Sequence, residues 1–162
     1  MNMHTRGMLC FALTILLVLS IAGCASPEKT KADQRRPLHH YQLARAFFEA
    51  GKTTEALGQI HHSIELDPTL PQTHFYLGYI HISGDDWASA EGPLRRAVEL
   101  NPYYTDARMY LAQCLDELGR PDDALMELVT GLKDRTYPHR EKLHFNKAMI
   151  HDRQGNVAAA LD

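Results

Sequence analysis

Apolar residues recur at three- and four-residue intervals through most of this chain, the spacing typical of amphipathic helices. Each such stretch is about a dozen residues long and ends in a turn signal. Gly51, Gly84, Gly119 and Gly155 stand where a helix would end in a left-handed conformation. Leu66-Asp67-Pro68 and Leu100-Asn101-Pro102 end other helices, because proline cannot continue them and restricts the residue before it. The pattern predicts an all-α chain of short helices.

The helical pattern repeats every 34 residues, counted from Pro37, Pro71, Thr105 and Glu141. Small residues fill the eighth and twentieth positions of each repeat: Ala44, Gly78, Ala112 and Ala148, then Ala56, Ala90, Ala124 and Ala160. Only small residues let two antiparallel helices approach closely at such positions. We therefore expect helix pairs in repeats 37–70, 71–104 and 105–140, with a partial repeat at 141–162.

This combination of period, small residues and turns resembles the tetratricopeptide repeat over residues 37–162. The resemblance implies an all-α superhelix, an α-solenoid of antiparallel helix pairs with a concave inner wall. Two local departures carry expectations of their own. Pro93 lies inside a helix, where we expect a bend. The third repeat is two residues longer than the period, so its connection to the fourth should differ.

The first 23 residues have the features of a lipoprotein signal peptide. Residues 8–22 form an apolar run of about 15 residues, shorter than the roughly 20 that a membrane-spanning helix needs. Ile21-Ala22-Gly23-Cys24 resembles the bacterial lipobox, which implies lipidation of Cys24. Residues 24–36 are polar and without apolar periodicity, so we expect a flexible tether after the lipid. Ala25 replaces the Asp that usually retains such proteins in the inner membrane, which favours an outer-membrane anchor facing the periplasm.

Composition and motifs argue against several function classes. The formal net charge is −3, and basic residues are interspersed with acidic ones, so we expect no nucleic-acid binding. No nucleophile elbow, zinc-protease motif or phosphate-binding glycine loop occurs, which predicts neither an enzyme nor a cofactor nor a small-molecule substrate. The acidic pairs Asp85-Asp86 and Asp122-Asp123 are interpreted as helix caps.

The histidines and Cys114 are the residues from which a metal or thiol site could be built. The pairs His74/His81 and His144/His151 are each spaced by seven residues, on one helical face. They occupy positions where tetratricopeptide helices carry core aromatic residues, so we predict packing and no metal site. Cys114 lies at an inward helical position, which predicts a buried, inert thiol. Zinc uptake or a disulfide-linked dimer remains the alternative for these residues.

The resemblance to tetratricopeptide repeats also implies where a protein partner would bind. In that architecture the first helix of each repeat lines the concave wall, and this chain places aromatic and apolar side chains there. The predicted partner-binding residues are Tyr41, Arg45, Phe48, Phe75, Tyr79, Ile82, Met109, Gln113, Phe145 and Met149. The alternative is that several of them pack against the tether or neighbouring repeats.

A lipobox followed by tetratricopeptide repeats resembles the type IV pilus biogenesis and stability lipoproteins, the pilotins. Shared local motifs are Tyr137-Pro138 with Arg140, Phe145-Asn146, and Gly92-Pro93-Leu94-Arg95-Arg96-Ala97. The resemblance implies a scaffold that promotes multimer assembly of an outer-membrane secretin. That family has about six repeats, and Lys147 replaces its usual Leu. The alternative is a generic lipoprotein scaffold for another envelope or cell-wall assembly.

Overall fold

The computed structural model describes residues 31–156, and within them the chain forms seven helices and no strand. We number them in chain order. They are α1 (Lys31–Glu49), α2 (Thr53–Leu66), α3 (Pro71–Ser83), α4 (Trp87–Leu100), α5 (Thr105–Glu117), α6 (Pro121–Gly131) and α7 (Arg140–Arg153). Consecutive helices pair as α1/α2, α3/α4 and α5/α6, which confirms the predicted all-α solenoid of helix pairs.

The turns after the helices contain a left-handed residue where the sequence predicts it, except between α3 and α4. Gly51, Gly119 and Gly155 have positive φ angles of 75°, 75° and 73°. The chain therefore leaves α1, α5 and α7 through a residue in the left-handed region. Between α3 and α4 the left-handed residue is Asp85, with φ 58°, and Gly84 has an ordinary φ. Sequence could not distinguish these neighbours, because both residue types occur in such turns.

Only one of the two acidic pairs supplies a helix cap. Asp86 precedes α4 and its carboxylate accepts a hydrogen bond from the Ser89 amide at 3.1 Å. Asp122 and Asp123 instead lie in the first turn of α6, after Pro121, and the cap position belongs to Arg120. Their negative charges stabilise the amino terminus of α6 by interacting with its partial positive charge. They do not accept a capping hydrogen bond.

The small residues of the repeat pattern lie where the helices cross. Ala44, Ala56, Ala90, Ala112 and Ala124 are all completely buried. At the eighth position of the second repeat, Gly78 of α3 lies directly against Leu94 of α4, with no room for a side chain. The predicted close approach of paired helices is therefore confirmed in the first three repeats. In the fourth repeat Ala148 is half-buried, and Ala160 lies outside the described residues.

Large apolar side chains fill the spaces between the helices in two clusters. One is centred on Ile60, Leu77 and Ile80 in the first half of the described chain. The other is centred on Leu94, Leu111, Leu115, Leu128 and Leu143 in the second half. The helices of each repeat thus bury their apolar residues against each other and against the neighbouring repeat, as a solenoid requires.

Pro93 and the third repeat depart from the regular pattern in different ways. Helix α4 runs without interruption from Trp87 to Leu100 with Pro93 inside it, so the proline does not end the element. Proline has no amide hydrogen, so the turn before it loses one helical hydrogen bond. In the third repeat, α6 is only 11 residues long and residues 132–139 connect it to α7. The predicted difference in this connection is confirmed.

The amino-terminal predictions fall mostly outside the described residues. These include the signal peptide at 1–23, Cys24 and the first part of the tether. The last part of the predicted tether differs from expectation, because α1 already begins at Lys31 and contains Pro37. Polar residues without apolar periodicity can extend a helix whose later turns pack on the core. No helix within residues 31–156 is long and apolar enough to cross a membrane.

Candidate partner-binding groove

An aromatic groove lies along the first helices of the first three repeats, α1, α3 and α5. Its volume is about 460 Å³. The lining residues are Tyr41, Arg45, Phe48, Glu49, Phe75, Tyr76, Tyr79, Asp106 and Tyr110. A groove of this size, with aromatic walls and a few charged groups, has the character of a site for an extended segment of another protein.

The rings in the groove contact one another across the three helices. Phe48 of α1 lies edge-on to Tyr79 of α3, with ring centroids 5.9 Å apart. Tyr79 in turn lies edge-on to Tyr110 of α5 at 5.5 Å. Phe75 lies 5.5 Å from Tyr110 and 5.0 Å from Tyr104, which precedes α5. Such pairs hold the rings at defined angles, so the groove presents a preorganised apolar surface.

Three charged side chains line the groove. Arg45 and Glu49 form an ion pair at 3.6 Å along the exposed side of α1, and the Arg45 guanidinium lies 6.0 Å from the centroid of the Tyr41 ring. Asp106, in the first turn of α5, accepts a hydrogen bond from the Tyr137 hydroxyl at 2.5 Å. Burial, followed by the hydrogen bond to Asp106 and then the Asp106 charge, raises the pKa of the Tyr137 hydroxyl, so this hydroxyl stays a donor at neutral pH.

The predicted partner-binding residues fall into three groups. Tyr41, Arg45, Phe48, Phe75 and Tyr79 all line the aromatic groove. Gln113, Phe145 and Met149 line a second, smaller depression of about 200 Å³ between α5 and α7. The structure does not bring these two groups together at one site.

Ile82 and Met109 form the third group and correct the prediction. They are only 8% and 9% exposed and belong to the core cluster that includes Leu111 and Leu115. Both lie in the first helix of a repeat, where the concave wall was expected. Their side chains are instead covered in the core between the second and third repeats. They stabilise the stack and do not line the groove.

The smaller depression combines apolar and charged side chains. Phe145 is 64% exposed and Met149 is 43% exposed. Beside them, the Arg153 guanidinium of α7 bonds the carboxylates of Asp116 and Glu117 on α5. These ion pairs tie the fourth repeat to the third across the concave side, while Phe145 and Met149 remain accessible.

Tyr76, Tyr110, Glu49 and Asp106 are groove residues that the sequence analysis did not select. Tyr76 and Tyr110 occupy the same sixth position of the second and third repeats, and this coincidence was the available signal. Asp106 lies in the first helix of its repeat, the helix expected to line the concave wall. Its place among aromatic rings depends on neighbouring repeats and left no pattern in the sequence.

The histidines behave less uniformly than predicted. The His74 ring bonds the Pro68 carbonyl oxygen at 2.9 Å, and His81 lies 3.4 Å from the Asp86 carboxylate, so both rings make local polar contacts. His144 is exposed, which contradicts its assignment as a core ring substitute. His151 is half-buried, and its Nδ1 is buried without a hydrogen-bond partner. Between residues 31 and 156, no three His, Cys, Asp or Glu side chains converge on a common point.

Cys114 is completely buried between α4 and α5, as predicted. Its thiol donates to the Trp87 carbonyl oxygen at 3.0 Å. Burial is the main cause that raises the pKa of this thiol to about 11, so it is protonated at neutral pH. The thiolate is the reactive form, and the structure therefore agrees with an inert cysteine.

Comparison with known families agrees with this architecture. Two models described as tetratricopeptide repeat match residues 41–105 and 82–136, and together they cover more than half of the chain. The chain belongs to the tetratricopeptide repeat family. Tetratricopeptide repeats are protein-interaction scaffolds, so the coarse function of this tetratricopeptide repeat chain is protein binding. No curated protein matches its sequence.

Solved structures resemble this tetratricopeptide repeat fold at low sequence identity. A crystal structure of MamA is 22% identical with a TM-score of 0.71, covering 81% of this chain and 75% of MamA. PilW, described as a widely conserved type IV pilus biogenesis factor, is 20% identical with a TM-score of 0.72, covering 81% of this chain. The first tetratricopeptide domain of Spaghetti (RPAP3), bound to the HSP90 peptide SRMEEVD, is 20% identical with a TM-score of 0.70, covering 75% of this chain and 94% of that domain. The chain spans 58% of the length of PilW.

Proposed function

We propose that this protein is an outer-membrane lipoprotein scaffold that holds a segment of a partner protein in its aromatic groove. The observation that carries the proposal is the groove itself, in which rings from three repeats form one preorganised apolar surface. Aromatic side chains in such a groove bury a large area at little cost in conformational entropy. A tetratricopeptide domain of similar fold, the first of Spaghetti (RPAP3), is bound to an HSP90 peptide.

The proposed anchor is the lipid on Cys24, with the domain facing the periplasm. It is supported by the apolar leader and lipobox of the sequence and by the absence of Asp after Cys24. The residues between the lipid and α1 would let the groove reach a partner near the membrane surface.

Within this class, we propose type IV pilus biogenesis as the process and an outer-membrane secretin as the partner. The support is the lipobox preceding the repeats, the motifs around Tyr137-Pro138 and Phe145-Asn146, and the fold shared with PilW. The alternative is a scaffold for another envelope or cell-wall assembly. The fold is as similar to MamA as to PilW, so fold similarity does not distinguish pilus biogenesis from another assembly. Identifying the partner distinguishes them.

The first experiment is a pull-down from outer-membrane extract with the full-length lipidated chain, followed by mass spectrometry and by counting secretin multimers in cells with and without it. We expect capture of a secretin whose multimers fail to form in the absence of this protein. Capture of a different complex, with secretin multimers unchanged, would favour the alternative scaffold.

The matched control tests the groove as the binding surface. Replacing Phe75 and Tyr79 with Ala removes two central rings, and we expect capture to fall at least tenfold. Replacing Tyr103, which is 86% exposed, with Ala changes a ring outside the groove lining and should leave capture unchanged. Circular dichroism of each variant checks that the helices are intact. Undiminished capture by the folded double variant would exclude the groove.

A further inference from the structure

The aromatic groove contains one carboxylate that has no cationic partner. Among residues 36–156, neither Lys, Arg nor His lies within ion-pair distance of Asp106. Its contact is the Tyr137 hydroxyl, which bonds Oδ1. The second carboxylate oxygen, Oδ2, makes no hydrogen bond to the described residues. Asp106 lines the groove and therefore faces the space that a partner would fill.

The surroundings of Asp106 are phenol rings. Its charge contributes, after burial, to the raised pKa values of the Tyr104, Tyr110 and Tyr137 hydroxyls. Tyr110 and Phe75 also line the groove, with their ring centroids 5.5 Å apart. A carboxylate among aromatic rings is the combination that attracts an ammonium or guanidinium group, through Coulomb attraction and through the negative ring faces.

Arg45, the cation that lines the groove, does not form an ion pair with Asp106. Arg45 lies at the α1 side, paired with Glu49 at 3.6 Å and placed over the Tyr41 ring. That arrangement leaves one acidic charge in excess among the three charged groove residues, since Arg45 offsets only one of Glu49 and Asp106. Arg45 over Tyr41 also illustrates, within the same groove, how a cation and a ring pack together here.

From this charge complementarity we infer that the groove recognises a partner segment carrying a lysine or arginine beside an apolar residue, with the cationic group bound between Asp106 and the rings of Phe75 and Tyr110. This inference rests on the proposed function of the groove and names the chemistry of the segment. The apolar neighbour packs against Phe48 and Tyr79, which form the continuous ring surface beside that end.

The test is a selection of groove-binding peptides from a random dodecapeptide library displayed on phage. The immobilised full-length chain serves as bait, and peptides that also bind the Phe75→Ala/Tyr79→Ala variant are discarded. We expect the remaining peptides to be enriched in Lys or Arg next to an aliphatic or aromatic residue. Enrichment in acidic or uncharged peptides would overturn the inference and leave the groove as a binding site.

Affinity measurements on one selected peptide then test the role of Asp106. We expect roughly tenfold weaker binding when its cationic residue is replaced by norleucine, and the same loss from Asp106→Asn. The two changes together should cost little more than either alone, because each removes the same interaction. The attraction should also weaken as salt concentration rises.

Two control variants separate recognition from structure. Tyr137→Phe removes the hydrogen bond to Asp106 but keeps the carboxylate, and it should preserve the preference for the cationic peptide. Glu55→Gln removes one negative charge from α2, outside the groove lining, and should change affinity less than twofold. Equal binding of the cationic and norleucine peptides to the unaltered chain would overturn the inference. A selection that yields no groove-dependent peptide would overturn the proposed function and this inference together.

Discussion

Two glycines inside helices show how much the surroundings of a single residue matter. A Cβ atom at Gly78 would lie 2.5 Å from Leu94 Cγ and 3.3 Å from the Ala90 carbonyl oxygen. Leu94 is completely buried and cannot move aside without disturbing the core. A Cβ at Gly58 in α2 would meet nothing within 4 Å. The same residue type is therefore required at one position and replaceable at the other.

We expect Gly78→Ala to lower the free energy of unfolding by about 1–2 kcal/mol, since overpacking outweighs the gain in helix propensity. Gly58→Ala should raise it by about 0.5–1 kcal/mol, because only the propensity changes. Urea denaturation monitored by circular dichroism measures both. A stabilising effect of Gly78→Ala would show that α3 and α4 can separate without cost.

At the scale of elements, the third repeat shows how an irregular connection is held in place. The Arg140 guanidinium, at the start of α7, donates to the carbonyl oxygens of Leu132 and Asp134 at 2.8 and 2.6 Å. The Thr105 hydroxyl of α5 donates to the Asp134 carboxylate of this connection, and the Tyr137 hydroxyl of the connection donates to Asp106 of α5. The two Arg140 bonds satisfy carbonyl groups that follow the early end of α6.

Arg140→Ala should therefore loosen α7 while leaving the first two repeats unchanged. We expect faster amide hydrogen exchange in α7, corresponding to a loss of about 1–2 kcal/mol in local stability, because each repeat depends on its neighbours. Exchange detected by mass spectrometry resolves the helices. Arg135→Ala, an exposed residue of the same connection, is the matched control. Uniform acceleration along the chain would contradict a local role for Arg140.

At the scale of the whole molecule, several acidic groups are kept protonated by burial. Burial is the first cause of the raised pKa values of Tyr76, Tyr104, Tyr110 and Tyr137, and of the Cys114 thiol, whose pKa is about 11. In the unfolded chain these groups titrate near 10.0 for the phenols and 9.0 for the thiol. The unfolded state therefore loses protons first as pH rises.

The resulting stability is fully present below about pH 9 and is lost as the pH rises through the folded-state values. We expect the melting temperature to fall progressively between pH 9 and 11. Tyr110→Phe should make this fall less steep, whereas Tyr103→Phe, at a residue that is 86% exposed, should not. Calorimetry across this range measures the dependence. A melting temperature that rises with pH would contradict the assigned protonation.

A structural feature could be predicted from the sequence when it depends on residues that are close together along the chain. Helix number, turn positions, the small residues at helix crossings and the burial of Cys114 could be predicted, because they depend on local spacing repeated four times. The start of α1 could not, since a polar helical end carries no apolar pattern. The position of the left-handed residue at Asp85 was ambiguous for a similarly local reason.

The sequence by itself determined a repeat solenoid with an aromatic concave side, because period and residue size are properties of each helix pair. Only the tertiary structure decided which concave residues form the groove. It placed Ile82 and Met109 in the core, separated Phe145 and Met149 from the aromatic groove, and brought Asp106 and Tyr110 into it. The physical reason is that the exposure of a side chain on one repeat depends on how the next repeat packs against it. That packing involves residues 30 or more positions apart, beyond the reach of helical periodicity.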